Sequence, residues 1–305
     1  MKFVFVADRP DINRGSYRIW VSDLRESLQE TGNDARISNT NDLEGAARDA
    51  DVIIFDKMSI REAAMLPSSF KGLVGVINPS KDLPSRVDYT IVGSIEEALS
   101  NPAHPNAFLL PLIERRLMGQ GQREYLDDRE LRIGYHGNEL HLSAMISQGI
   151  LKALDRFNQT LSASGRNGKL VIISKSGRPT IRLRCDLEIE YRKYDAANLP
   201  GLFQDIDIGI VPTVYKSKPA PVFSSLNRTL RMMDMHNDDY IMRYKSKSNY
   251  GRLLVFLQLG IPTVADMTPS HAHLLGSQKL GLLATDSQSW LNAFEKLKTA
   301  ERRQQ

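Results

Sequence analysis

Short apolar runs rich in Val and Ile recur along this chain, separated by longer amphipathic stretches, and any fold it adopts must accommodate that alternation. Residues 3–7, 52–55, 73–77 and 89–92 read as strands, with helical patterns between them, which is the rhythm of βαβ units in a parallel sheet. The first helix is expected over residues 16–30. Trp20, Leu24 and Leu28 fall four apart as a core-facing stripe, and Gly32 stands where a helix-ending glycine belongs.

The rhythm stops between Pro111 and Glu130, where Glu-Arg-Arg, Gly-Gln-Gly-Gln-Arg and Asp-Asp-Arg-Glu follow one another. Such a polar, glycine-punctuated stretch reads as an interdomain linker. Strands are expected again at residues 131–135, 170–174, 187–191, 207–211, 262–265 and 281–284, with helices from about Glu139 and Ser287. The predicted organisation is an N-terminal Rossmann-like domain (1–115), a linker (116–130), a second Rossmann-like domain (131–285), and a closing helix with a basic tail (286–305). The fold class is α/β, and two open parallel sheets joined by a linker are expected to face each other across a ligand-binding cleft.

With 305 residues, 41% hydrophobic and 25% charged, the chain can bury a large core, which excludes disorder as its main state. Cys185 is the single cysteine, so neither a disulfide framework nor a cysteine-based zinc cluster can form within one chain, and a reducing, cytoplasmic setting is expected. The longest apolar stretch, residues 253–265, is broken by Gln258 and Pro262, too short a run to span a membrane. A net charge of +4 is a small excess that does not by itself select nucleic acid.

Several chemistries lack their motif. No Gly-x-Gly-x-x-Gly follows a first strand, no His-x-x-His or Glu-x-x-His pair calls for a metal, and no Gly-x-Ser-x-Gly elbow is present. The pairs Asp49/Asp51 and Asp205/Asp207 each open an apolar strand and read as boundary residues. No metal and no resident cofactor are expected.

The segment richest in chemistry is Tyr244-Lys-Ser-Lys-Ser-Asn-Tyr-Gly-Arg252, just ahead of an apolar helix. A helix N-terminus offers unpaired amides and a positive dipole end, so a diphosphate can sit there with Lys247 and Arg252 neutralising it and Ser248 and Asn249 beside it. The same residues also suit a solvated flank with Ser248 as a plain helix cap. Cleft-facing loops are expected at His136, Gly137 and Asn138 and at Lys175, and Tyr194 follows the next strand end. Gly15, Ser16 and Arg18 form a further phosphate or acceptor loop at the start of the first helix. The long basic insertion carrying Lys216, Lys218, Arg228, Arg231 and Met232 reads either as a lid or as a peripheral helix.

The residues Lys247-Ser-Asn-Tyr-Gly-Arg252 and Gly260-Ile-Pro-Thr-Val-Ala265, with Asp205-Ile-Asp-Ile-Gly-Ile-Val-Pro212 ahead of them, resemble the C-terminal signature of GT-B nucleotide-sugar glycosyltransferases of the family 4 (group 1) kind. The resemblance implies transfer of a sugar from a UDP-sugar or GDP-sugar to an acceptor hydroxyl with retention of configuration. It implies Lys247 and Arg252 as catalytic stabilisers of the leaving diphosphate, donor binding by Gly137, Asn138, Lys175, Tyr194, Pro212, Ser248 and Asn249, and Gly15, Ser16, Arg18 and His136 on the acceptor or phosphate side. A carbohydrate or lipid-linked acceptor follows from it, in surface polysaccharide or glycolipid synthesis, with peripheral contact at the inner membrane face and no nucleic acid. Two positions depart from the family: Val255 stands where a ribose-binding glutamate is usual, and Tyr135-His-Gly-Asn138 replaces an Arg/Lys pair. A non-catalytic nucleotide-sugar-binding subunit is the alternative that Val255 motivates.

Overall fold

The computed structural model describes residues 1–79, 83–99, 106–119, 123–127, 130–214, 249–276 and 279–305. The chain forms two compact units, Met1–Arg115 and Arg116–Gln305. No helix among the described residues is long and apolar enough to cross a membrane.

In the first unit, β1 (Lys2–Val6), β2 (Asp34–Ser38), β3 (Val52–Phe55), β4 (Leu73–Ile77), β5 (Tyr89–Val92) and β6 (Ala107–Leu109) form one sheet in the order β2-β1-β3-β4-β5-β6. Every pairing is parallel. The two edge strands, β2 and β6, are the ones the apolar pattern does not reveal. Asp34-Ala-Arg-Ile-Ser38 buries only Ala35 fully, and all three residues of β6 are exposed, because an edge strand needs backbone partners on one side only.

The expected first helix starts at Gly15, passes through a π-helical stretch at Arg18–Asp23, and ends with Leu24–Glu30. Trp20 is fully buried and Leu24 and Leu28 pack partly against the same core. Gly32 closes the helix at φ 82°, donating to the Gln29 carbonyl at 3.0 Å. Gly93 lies so near the indole that a Cβ there would stand 2.6 Å from Trp20 Cζ2, so the chain after β5 tolerates no side chain.

In the second unit, β7 (Leu131–His136), β8 (Gly168–Ser174), β9 (Glu188–Lys193), β10 (Ile208–Val211), β11 (Thr263–Asp266) and β12 (Gly281–Ala284) run in the order β12-β11-β10-β7-β8-β9, again all parallel. Alternate side chains feed two cores. Ile133, Tyr135, Leu170 and Ile172 pack with Phe157, Trp290 and Phe294, while Val171, Ile173 and Val211 pack with Phe203 and Phe256.

The described part of the expected linker is built into this second unit. Leu117 and Tyr125 are buried, the Tyr125 hydroxyl donates to the Gly260 carbonyl at 2.6 Å, and Arg116 and Arg123 donate to the carbonyls of Ala196 and Phe203. The basic tail is likewise part of the body at one position: Arg303 turns inward and pairs with Asp127 at 3.2 Å.

Arg18 is 2% exposed and forms an ion pair with the equally buried Glu114. Its Nε donates to Glu114 Oε1 at 3.1 Å and its Nη1 to the Ile12 carbonyl at 2.5 Å. The pair clamps the first helix to the segment that leads out of the first unit. Replacing Glu114 by Gln strands a buried guanidinium without its counter-charge, and a loss of about 3–5 kcal/mol is expected. Urea unfolding of the variant beside the wild-type protein measures it, and an unchanged midpoint would show that the pair contributes nothing.

Candidate functional site

In an open parallel sheet, ligands bind at the carboxyl ends of the strands where the order of connection reverses. In the second sheet that reversal lies between β7 and β10, which are neighbours although β8 and β9 come between them in sequence. The end of β7 and the turn after it hold His136, Gly137 and Asn138, and the turn after β10 holds Pro212 and Thr213. The helix Gly251–Gln258 packs on β10 at the same end.

Arg252, in the first turn of that helix, joins these pieces. Its Nη2 donates to the Pro212 carbonyl at 2.7 Å, its guanidinium carbon lies 5.9 Å from the centre of the Tyr135 ring, and its own carbonyl accepts from His136 Nε2 at 3.0 Å. Its Nη1 is buried with no hydrogen-bond partner, and among the described residues no carboxylate reaches ion-pairing distance. Burial pulls its pKa down from the ordinary value, against weaker opposing effects from Tyr135 and Asp266. A desolvated cation lacking a counter-ion is a receptor for an anion.

Gly137 makes room for it. The residue sits at φ 131°, and a Cβ there would lie 2.7 Å from Arg252 Cδ. Asn138 serves the backbone: its side-chain oxygen accepts from the Leu140 amide at 2.9 Å and its carbonyl accepts the Tyr135 hydroxyl at 2.5 Å. Asn249 accepts from the Gly251 amide at 3.3 Å and so helps start the helix.

His136, which the resemblance sets on the acceptor or phosphate side and which as a lone histidine also suits a structural role, has its ring buried between Phe203 and Phe256, edge-on to both at 5.1 and 4.9 Å. Since the Arg252 carbonyl can only accept, Nε2 carries the proton. Burial lowers the pKa to about 4, with the Arg252 charge adding to the effect, so the ring is a neutral support for the helix. Arg18 also departs from its expected role, because its guanidinium is committed to Glu114 inside the first unit. Gly15 and Ser16 open the first helix as expected, and there the cation at the carboxyl edge is Arg14, which donates to the buried Asp56 at 2.7 Å and lies over Tyr17.

Lys175 is exposed in the turn after β8. Tyr194 is half-buried after β9, its amide donating to the Ser174 carbonyl at 2.8 Å and its ring packed against the Phe203/Phe256 core. Lys247 and Ser248 lie outside the described residues, as do Lys216, Lys218, Arg228, Arg231 and Met232.

A buried polar network that the sequence does not announce lies beneath Pro212 and Thr213. Gln148 Nε2 donates to the Thr213 carbonyl at 2.6 Å and to Asp266 Oδ2 at 2.9 Å, and His271 Nδ1 bonds the Asp266 carbonyl at 2.7 Å. All four residues are buried, and Gln148 Oε1, Thr213 Oγ1 and His271 Nε2 have no partner among the described residues. No motif marks a glutamine at the end of one helix as the partner of an aspartate at the end of a distant strand. Among the described residues no cluster of His, Cys, Asp or Glu could hold a metal ion.

Two outcomes test this geometry. His136 and His271 both have pKa values lowered to about 4 by burial, below the unfolded value. The unfolded chain therefore takes up protons first as the pH falls. Stability is complete above about pH 6.5 and is lost toward pH 4, by up to about 3 kcal/mol for each ring. Circular-dichroism melting between pH 7.5 and 4.5 should show the fall, and a flat profile would contradict the burial. A Gly137→Ala exchange meets both a positive φ and the Arg252 contact, and should lower stability by about 1–3 kcal/mol in chemical denaturation.

No family model matches this chain, and no curated protein matches it in sequence. Solved structures do match. One is trehalose-6-phosphate synthase from E. coli bound with UDP-2-fluoro glucose, at TM-score 0.63 and 9% identity, covering 99% of this chain and 93% of that one. HepE from Anabaena in complex with UDP matches at TM-score 0.59 and 12% identity, with 100% and 93% covered. An alpha-glucosyltransferase in complex with UDP and a 13-mer DNA matches at 0.56 and 10%, with 98% and 90% covered. At these identities the likeness is one of fold, and the fold is GT-B, with two Rossmann-like α/β units.

Proposed function

From the GT-B fold, we propose that this protein is a glycosyltransferase that moves a sugar from a nucleoside-diphosphate-sugar, with UDP or GDP as the nucleotide, to an acceptor hydroxyl. The observation that carries the reading is Arg252: a buried guanidinium pinned to the Pro212 carbonyl, with Nη1 unpartnered among the described residues, at the N-terminus of the helix beside the sheet's switch point. A diphosphate placed there takes its negative charge against Arg252 and the first-turn amides.

Charge on the departing diphosphate grows as the glycosidic bond breaks. A cation already dehydrated and fixed stabilises that state without reorganising, which is where most of the rate enhancement would arise. Lys247 and Ser248, adjacent in sequence, are assigned to the same group. In the retaining reaction favoured here, the leaving phosphate oxygen accepts the proton of the attacking hydroxyl, so no enzymic base is required. The acceptor side is assigned to the first unit's residues 8–18, where Arg14 and Asp56 stand at the carboxyl edge of β1 and β3. A carbohydrate acceptor in surface polysaccharide or glycolipid synthesis fits this chemistry.

Val255 favours a second reading. It is buried in the core on which its helix packs, so no carboxylate is offered from that position to a ribose. A protein that binds the nucleotide sugar without transferring it would have the same architecture.

Thermal unfolding with UDP, GDP, ADP, TDP and CMP in turn separates these possibilities. A nucleotide at a hundred times its dissociation constant should stabilise by about 2.7 kcal/mol, and Arg252→Ala should remove the stabilisation while the unliganded protein still melts cooperatively. Stabilisation with sugar release or transfer supports the enzyme, and stabilisation with neither supports the binding subunit. The absence of stabilisation by any nucleotide would overturn both.

A further inference from the structure

The connection between β8 and β9, residues 175–187, carries a cationic face that donor binding does not use. From Ile181 to Leu187 burial alternates strictly: Ile181, Leu183, Cys185 and Leu187 turn toward the core, and Arg182, Arg184 and Asp186 turn to solvent. Alternation with a period of two means extended backbone, so Arg182 and Arg184 project from one face roughly 7 Å apart. Arg178 is exposed in the preceding turn, and exposed Lys193, at the end of β9, packs against Gly177 of that turn.

None of these four cations has a carboxylate partner among the described residues. Four other arginines of this unit are paired: Arg132 and Arg192 with Glu190 and Asp205, and Arg166 and Arg303 with Asp127. Two nearby acids are otherwise engaged: Glu139 accepts from Ser176 and Thr180, which holds its carboxyl below the usual range, and Asp155 accepts from the Asp186 amide at 2.6 Å. Asp186 itself is exposed on the same face, which leaves the three arginines and Lys193 in excess over one acid. Three arginines within seven residues, each without an acid, repel one another unless an external anion joins them.

The position of the patch indicates what that anion is attached to. Ser176 bonds both Glu139, next to Asn138 of the candidate site, and the Arg178 carbonyl at 3.2 Å, so the patch begins at the rim of that site and runs away from it along the sheet edge. Exposed aromatic platforms, on which single-stranded nucleic acid stacks, are missing from it, since Tyr191 and Tyr194 pack against the two cores. The planar fork of arginine, used here three times where lysine would serve as a point charge, matches a planar or tetrahedral oxyanion, carboxylate or phosphate, in two parallel hydrogen bonds.

We propose that this face binds an acidic polysaccharide, a glycan chain bearing carboxylates along its length, through Arg178, Arg182, Arg184 and Lys193. Its use as the acceptor chain rests on the sugar-transfer reading, but the binding surface itself does not.

The test is equilibrium binding of the full chain to a fluorescently labelled oligogalacturonate, with dextran, inorganic polyphosphate and a single-stranded DNA oligonucleotide as comparators. Oligogalacturonate should bind with an affinity that falls steadily as salt rises, and dextran should not bind. The triple variant Arg178→Gln, Arg182→Gln, Arg184→Gln should lose at least tenfold in affinity and keep the wild-type melting temperature and response to UDP, because these side chains are exposed and lie outside the donor contacts. The proposal is overturned if oligogalacturonate does not bind, if the triple variant binds it as the wild type does, or if polyphosphate or DNA binds more tightly. If oligogalacturonate binds as expected but no nucleotide stabilises the protein, the sugar-transfer reading fails and this one stands.

Discussion

The side-by-side pairing of β7 and β10 is the constraint from which the candidate site follows. Ile133, Gly134 and Tyr135 lie opposite Ile208, Gly209 and Ile210 in parallel register, which brings two turns distant in sequence to the same edge. Two glycines make the close packing there possible. A Cβ on Gly134 would stand 2.6 Å from Ile206 Cγ2, and one on Gly209 would stand 2.6 Å from the Phe256 ring. Because Phe256 can seat against β10, the helix Gly251–Gln258 starts at the height where Arg252 reaches the Pro212 carbonyl.

Arg18 and Arg252, both buried, are handled in opposite ways, and the contrast separates structure from function. Arg18 is neutralised by Glu114 and also donates to a carbonyl, so its charge is satisfied inside the protein. Arg252 holds one carbonyl and stacks near Tyr135, but has no carboxylate partner among the described residues. A cation removed from water gains only part of its lost hydration from a carbonyl and a ring, so the fold retains a favourable place for an anion. His136 is the other half of this economy: a neutral ring between two phenylalanines holds the helix through its first-turn carbonyl and adds no charge beside Arg252.

The amphipathic alternation in the sequence carried most of the fold. Strands at β3, β4 and β5 coincide with the expected apolar runs, because inner strands covered on both faces must be continuously apolar. β2 and β6 escaped because edge strands are held by backbone hydrogen bonds that impose little on side chains. Much of the candidate site was legible as well: Gly137, Asn138, Pro212, Asn249 and Arg252 follow strands or open a helix, and such positions in a parallel sheet gather at one edge. Their separate roles were not legible, since a histidine after a strand reads the same whether it faces a ligand or lies between two rings.

What the sequence determined by itself is the number of parallel units, the succession of strands and helices, and the set of loops at the sheet's carboxyl edge, since all three depend on local periodicity and on glycine, proline and capping residues. What only the tertiary structure decided is which charges are satisfied. Glu114 meets Arg18, Asp127 meets Arg303, and Gln148 meets Asp266, each pair joined across long stretches of chain, whereas no acid among the described residues reaches ion-pairing distance of Arg252. A charge's partner is set by distances in space that fall off over a few ångströms, and no period along the chain encodes them.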